Sequence, residues 1–122
     1  MRSWHLLMVV CFLLGVGTDT HAQTSGPFEL SWPNPGETLV YQSRGCADAC
    51  WEAALVNKRT GVLLARLRCE GTDLPLTLRG YRPAATPSEV ELDDCSPDAW
   101  PPKGVNKFQA IPAALERLLT MP

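Results

Sequence analysis

Apolar and polar positions alternate through most of the middle of the chain. In Val62 to Cys69, VLLARLRC, Leu63, Ala65, Leu67 and Cys69 fall on one side, with Leu64, Arg66 and Arg68 on the other. That period of two predicts a half-buried strand. Residues 38–43, TLVYQS, repeat it: Leu39 and Tyr41 point one way, Val40 and Gln42 the other. Trp51 to Asn57, WEAALVN, holds Ala, Glu and Leu, which favour helix. A hairpin needs a partner for Val62–Cys69, however, and this is the adjacent segment, so a strand is expected, turning through Lys58-Arg59-Thr60-Gly61. Phe28, Leu30 and Trp32 alternate with Glu29 and Ser31, giving a short edge strand, while Pro27, Pro33 and Pro35 exclude helix. Leu74, Leu76 and Leu78 alternate again, with Pro75 confining them to an edge or the first residues of a strand. Val90 and Leu92 predict a last short strand. Residues 83–88 read as a loop, and residues 96–107 as irregular chain around Pro97, Pro101, Pro102 and Gly104.

The period changes near the C-terminus. Ile111, Leu115, Leu118 and Leu119 form one stripe, with Glu116 and Arg117 outside it, predicting a helix over 111–119. Pro112 suits its first turn, where a missing amide hydrogen costs nothing. So short a helix is marginal alone and should pack on the sheet. The expected fold is mainly β (α+β): a small antiparallel sheet or sandwich of four to six strands, one short C-terminal helix and two disulfides.

The N-terminal pattern is different. Arg2 precedes Leu6–Val16, an apolar run of about 11 residues, too short to cross a bilayer, which needs roughly 20. Thr20-His21-Ala22 supplies small residues for a signal peptidase, so residues 1–22 read as a cleaved export signal. Cys11 lies behind Val9 and Val10 rather than small residues, which argues against a lipoprotein site. The remaining chain reads as a Pro-rich segment, 23–37, and one domain, 38–122, in the periplasm or outside the cell. Losing Arg2 and Asp19 together leaves the net charge at −2. That balance excludes a polycationic nucleic-acid binder, and no second apolar stretch would span a membrane.

Both histidines, His5 and His21, precede the expected cut. The exported chain would then hold no imidazole for Ser-His-Asp or Cys-His catalysis, nor for His-ligated zinc or copper. No Gly-rich phosphate loop or haem-attachment motif occurs, so no cofactor is expected.

Cys46, Cys50, Cys69 and Cys95 remain. An even count in a small exported chain predicts two disulfides. Zinc sites are built from paired knuckles, whereas Cys69 and Cys95 stand alone, and thioredoxin-like catalysts use Cys-x-x-Cys rather than this wider spacing. If Asn57 faces Val62 across the turn, facing residue numbers sum to 119, which sets Cys50 opposite Cys69 and leaves Cys46 for Cys95. A one-residue slip in the turn would break this argument; the alternative pairing is Cys46–Cys50 with Cys69–Cys95.

Arg66 and Arg68 share one strand face, and Arg79 joins them from the next strand, with Arg82 and Lys58-Arg59 nearby in sequence. Such a row suits carboxylates or phosphates of a partner; the favoured reading is a solvated sheet face, since antiparallel sheets commonly leave one face wet. Glu89, Glu91, Asp93, Asp94 and Asp98 lack the EF-hand pattern, so the run reads as a solvated loop or a counter-charge to the arginines, and no metal site is expected. No carboxylate pair is singled out as acid and base, so no catalytic residue is assigned. Trp51 beside Cys50 reads as core, and Trp32 and Trp100, set among prolines, are binding candidates or caps on the core's ends. Together these features predict a non-enzymatic binding protein, of inhibitor or immunity type, that recognises another protein through Arg66, Arg68, Arg79, Trp32 or Trp100. The alternative is an accessory subunit of an envelope or secretion assembly.

Overall fold

The computed structural model describes residues 26–47, 49–85 and 88–122; the expected export signal lies outside them. Six strands form one sheet: β1 (Phe28–Leu30), β2 (Glu37–Gly45), β3 (Cys50–Asn57), β4 (Leu63–Glu70), β5 (Thr77–Tyr81) and β6 (Val90–Asp94). Spatial order follows chain order and every neighbouring pair is antiparallel, so the topology is a simple meander. One helix, α1 (Lys107–Thr120), follows.

The alternation seen in the sequence decides which face is covered. Leu39, Tyr41, Trp51, Ala53, Leu55, Ala65, Leu67, Cys69 and Leu78 are buried on the inner face, against Ala110, Ile111, Ala114, Leu115 and Leu118 of α1. Trp51 stacks on Trp100, with ring centroids 5.6 Å apart, closing one end of the core. Gly80 brings α1 close to β5: a Cβ there would stand 2.8 Å from one methyl of Leu118 and 3.0 Å from a methyl of Leu92.

The β3–β4 turn forms where its composition predicts. Asn57 Oδ1 accepts from the Arg59 and Thr60 amides, Gly61 takes φ +74°, and the Asn57 amide donates to the Val62 carbonyl at 2.9 Å. Its consequence for register differs from expectation. Val56 faces Leu63, a sum of 119, but a bulge between Leu55 and Val56 then sets Leu55 opposite Ala65 and Trp51 opposite Cys69. Cys50 therefore does not face Cys69. The disulfides are Cys46–Cys50 and Cys69–Cys95, which corrects the expected Cys50–Cys69 and Cys46–Cys95 pairing.

Two boundaries also move. The helix begins at Lys107, not Ile111, because Asn106 caps it: Asn106 Oδ1 accepts from the Phe108 amide at 2.7 Å. Pro112 accordingly lies inside the helix. Leu74 and Pro75 stand before β5, which starts at Thr77.

Substituting Gly80→Ala is expected to destabilise the protein by about 1–3 kcal/mol, because Leu118 is almost fully buried and has little room to turn. Leu118→Ala costs about 2–5 kcal/mol alone. The double variant should lose clearly less than the two losses combined, since the added methyl fills part of the space. Denaturant unfolding of the four proteins checks this.

Candidate functional site

The face of the sheet opposite α1 has no second layer among the described residues. Its side chains run in rows across the strands. One row is Val40, Ala54, Arg66 and Tyr81; the next is Gln42, Glu52, Arg68, Arg79 and Glu91. Arg66, Arg68 and Arg79 are thus brought together on one half-buried face, as the alternation of β4 and β5 predicts.

Their electrostatic surroundings differ. Arg68 is held most firmly. Its Nε donates to Glu89 Oε2 at 3.1 Å, its Nη2 to the other Glu89 oxygen, and Nη2 also pairs with Glu70 at 2.9 Å. Partial burial works against its charge, but the Glu89 hydrogen bond and the charges of Glu89, Glu70 and Glu52 outweigh it and hold the guanidinium above its ordinary value. Arg79 pairs with Glu91 at 3.4 Å. Glu89 and Glu91 of the acidic run are therefore counter-charges to the arginine row.

Arg66 is the exception. It lies 5.1 Å from the centre of the Tyr81 ring, a cation–π contact. Its Nε is 3.7 Å from Glu52 Oε1, beyond hydrogen-bonding distance, while the other oxygen of Glu52 is taken by Arg44 at 2.6 Å and 3.1 Å. Arg66 Nε is out of solvent and has no hydrogen-bond partner. Ala54 of β3 is the facing position of Arg66.

The remaining candidates are drawn into the fold. Trp100 is only 8% exposed, stacked on Trp51. Trp32 is half-buried, and its indole N–H donates to Glu37 Oε1 at 2.9 Å across the β1–β2 turn. Arg82 caps the end of α1, donating to the Leu119 carbonyl at 3.1 Å and to that of Met121 at 2.6 Å.

Sequence reasoning missed Glu52 as a partner of Arg66 and Tyr81 as its support. The signal was the hydrophobic pattern itself. A sum of 120 across β3 and β4 aligns Trp51, Ala53 and Leu55 with Cys69, Leu67 and Ala65, and with it Glu52 with Arg68. A sum of 119 sets apolar residues against arginines.

Three hollows gather at the end of the sheet that carries Cys46 and Cys50. One of about 270 Å³ is lined by Trp51, Trp100, Pro97 and Pro101. One of about 570 Å³ includes Cys46, Leu74, Leu76 and Pro97, and one of about 500 Å³ includes Arg44, Cys46, Cys50, Glu70 and Arg79. Beside them, Asp94 Oδ1 accepts from the Ser96 amide at 2.9 Å, and Ser96 Oγ accepts from the buried Leu76 amide at 2.7 Å. No group of three or more His, Cys, Asp or Glu side chains suited to a metal occurs among the described residues. No protein-family model, curated protein or solved structure matches the chain.

Hydrogen bonds from the Ser96 amide and hydroxyl hold the Asp94 carboxyl below the usual aspartate range. A depressed folded value contributes stability above the unfolded value, about 3.9, and loses it as pH falls through the folded value. Unfolding midpoints measured from pH 6 down to pH 2 should therefore fall more steeply in the natural protein than in Asp94→Asn.

Proposed function

We propose that this chain is an exported, disulfide-bonded binding protein without catalytic activity that recognises another protein through the uncovered face of its sheet. An inhibitor or immunity-type role is its most concrete form. The observation that carries this reading is Arg66. Its guanidinium stands on Tyr81 in the middle of an uncovered face, with Nε lacking an acceptor and the nearby Glu52 carboxylate shared with Arg44. Arginine and tyrosine are enriched among residues that dominate protein interfaces. An arginine already seated on a ring gives up little freedom when a partner's carboxylate reaches it.

The neighbouring row supports this. Arg68 and Arg79 are fixed by Glu89, Glu70 and Glu91, so the face presents an ordered pattern of both signs. Such a pattern selects a complementary protein surface better than a uniformly charged polymer. The partner should set an acidic side chain at Arg66 and apolar atoms over Val40, Ala54 and Val56.

Export rests on the signal pattern of residues 1–22 and fits two further facts. Both disulfides are formed, as expected for an oxidising compartment, and no helix among the described residues is long and apolar enough to cross a membrane. A periplasmic or extracellular location follows from that reading. Docking into an assembly through α1 is disfavoured, because Ile111, Leu115 and Leu118 of that helix are core residues.

Immobilised oxidised protein, exposed to envelope extract and culture medium of the source cells, should retain one dominant protein. Arg66→Glu should weaken that binding at least about tenfold, as for a residue at the centre of an interface, while Arg59→Glu in the exposed β3–β4 turn should leave it unchanged. Equal retention by both variants, or retention of nothing from any fraction, would sink the reading.

A further inference from the structure

The two disulfides occupy opposite environments. Cys69 and Cys95 are 0% and 3% exposed and belong to the core, with Cys95 at the wall of the hollow of about 270 Å³. In the other bridge Cys50 is equally covered, at 3%, but Cys46 is exposed. Cys46 also lines both larger hollows, so a group approaching from either side meets it. Thiol–disulfide exchange requires an attacking thiolate to reach a sulfur, and of the four cysteines Cys46 is the exposed residue.

A second observation marks this bridge as the one that opens: it closes a turn in which Cys46 and Ala47, neither of them glycine, hold φ +54° and +52°. L-residues disfavour this left-handed region, so opening the bridge relaxes backbone that closure holds.

We propose that Cys46–Cys50 is a thiol–disulfide exchange site that a Cys-x-x-Cys oxidoreductase opens and closes, while Cys69–Cys95 stays oxidised and holds the fold. A thiolate of the reduced oxidoreductase attacks Cys46 Sγ, forming a mixed disulfide and releasing Cys50 as a thiolate, which takes up a proton. The oxidoreductase's second thiolate then attacks its own sulfur in the mixed bridge, releasing Cys46. Two electrons pass to this protein, and the oxidoreductase leaves as its disulfide. The chain is thus the partner of such a catalyst, not the catalyst, and opening the bridge frees the rim shared by the hollows. This inference stands apart from the binding role of Arg66.

The test uses thioredoxin whose second active-site cysteine is replaced by serine, which traps the mixed disulfide. Incubated with the folded, oxidised protein, it should be captured on Cys46, located by peptide mapping, and not on Cys69 or Cys95. In parallel, a dithiothreitol titration quenched with a maleimide should label Cys46 and Cys50 at a lower reductant concentration than Cys69 and Cys95, with near-ultraviolet circular dichroism retained. Absence of a trapped adduct, an adduct on Cys95, or simultaneous opening of both bridges with loss of the fold would overturn the proposal. The titration needs no substituted form of this protein, so its outcome does not depend on whether a cysteine variant folds.

Discussion

Covering one face of a six-stranded meander with a single helix is the constraint on which the other features depend. The sheet must present a continuous apolar face to α1, and the strict alternation of β2, β3 and β4 supplies it: Leu39 and Tyr41, then Trp51, Ala53 and Leu55, then Ala65, Leu67 and Cys69. Close approach is needed as well. Gly80 provides it by giving Leu118 the space a side chain would fill. The polar ends of α1 are then tied back to the rest of the chain, Asn106 at its start and Arg82 at its finish. Among the described residues the buried side-chain donors left unmatched are Arg66 Nε and Arg82 Nε, and an unmatched buried group is what a small core tolerates least.

The same constraint produces the second face. Every inward position on a strand generates an outward neighbour, so a one-sided core exposes a sheet of alternate residues. Here those residues are arginines and glutamates in cross-strand pairs, with Arg68 shared between Glu70 and Glu89 and Arg79 set against Glu91. Exposed ion pairs of this kind add little stability each. Their main effect is to fix side-chain positions and to leave Arg66 conspicuous on the Tyr81 ring, its Nε without an acceptor. The β-strand pattern therefore accounts both for the core and for the surface on which the functional proposal rests.

The disulfides divide between these two settings. Cys69–Cys95 joins the middle of the sheet to the chain just beyond its edge, inside the core, where it ties the last strand to the rest of the fold. Cys46–Cys50 spans only the turn between β2 and β3 and reaches solvent at Cys46. Burial separates the two bridges, and the cysteine spacing in the sequence does not reveal it.

Period and turn chemistry by themselves determined the strands, their order through short turns, the terminal helix and the shared face of Arg66, Arg68 and Arg79. These are local properties: alternation of side chains, proline and glycine positions, and the Asn57 turn. What only the tertiary structure decided was register and partnership. A bulge between Leu55 and Val56 shifts the facing residues by one position, moving Cys69 from Cys50 to Trp51 and Arg68 to Glu52. That insertion is set by packing Trp51, Ala53 and Leu55 onto the face that α1 covers, which outweighs the register the turn alone would impose. Trp100 looked like a loop residue among prolines because nothing local places it against Trp51. The counter-charges Glu70, Glu89 and Glu91 reach the arginines only because strands β4 to β6 lie side by side. Sequence spacing fixes which side of a strand a residue occupies; which residue it meets there depends on how the strands are aligned by the core they share.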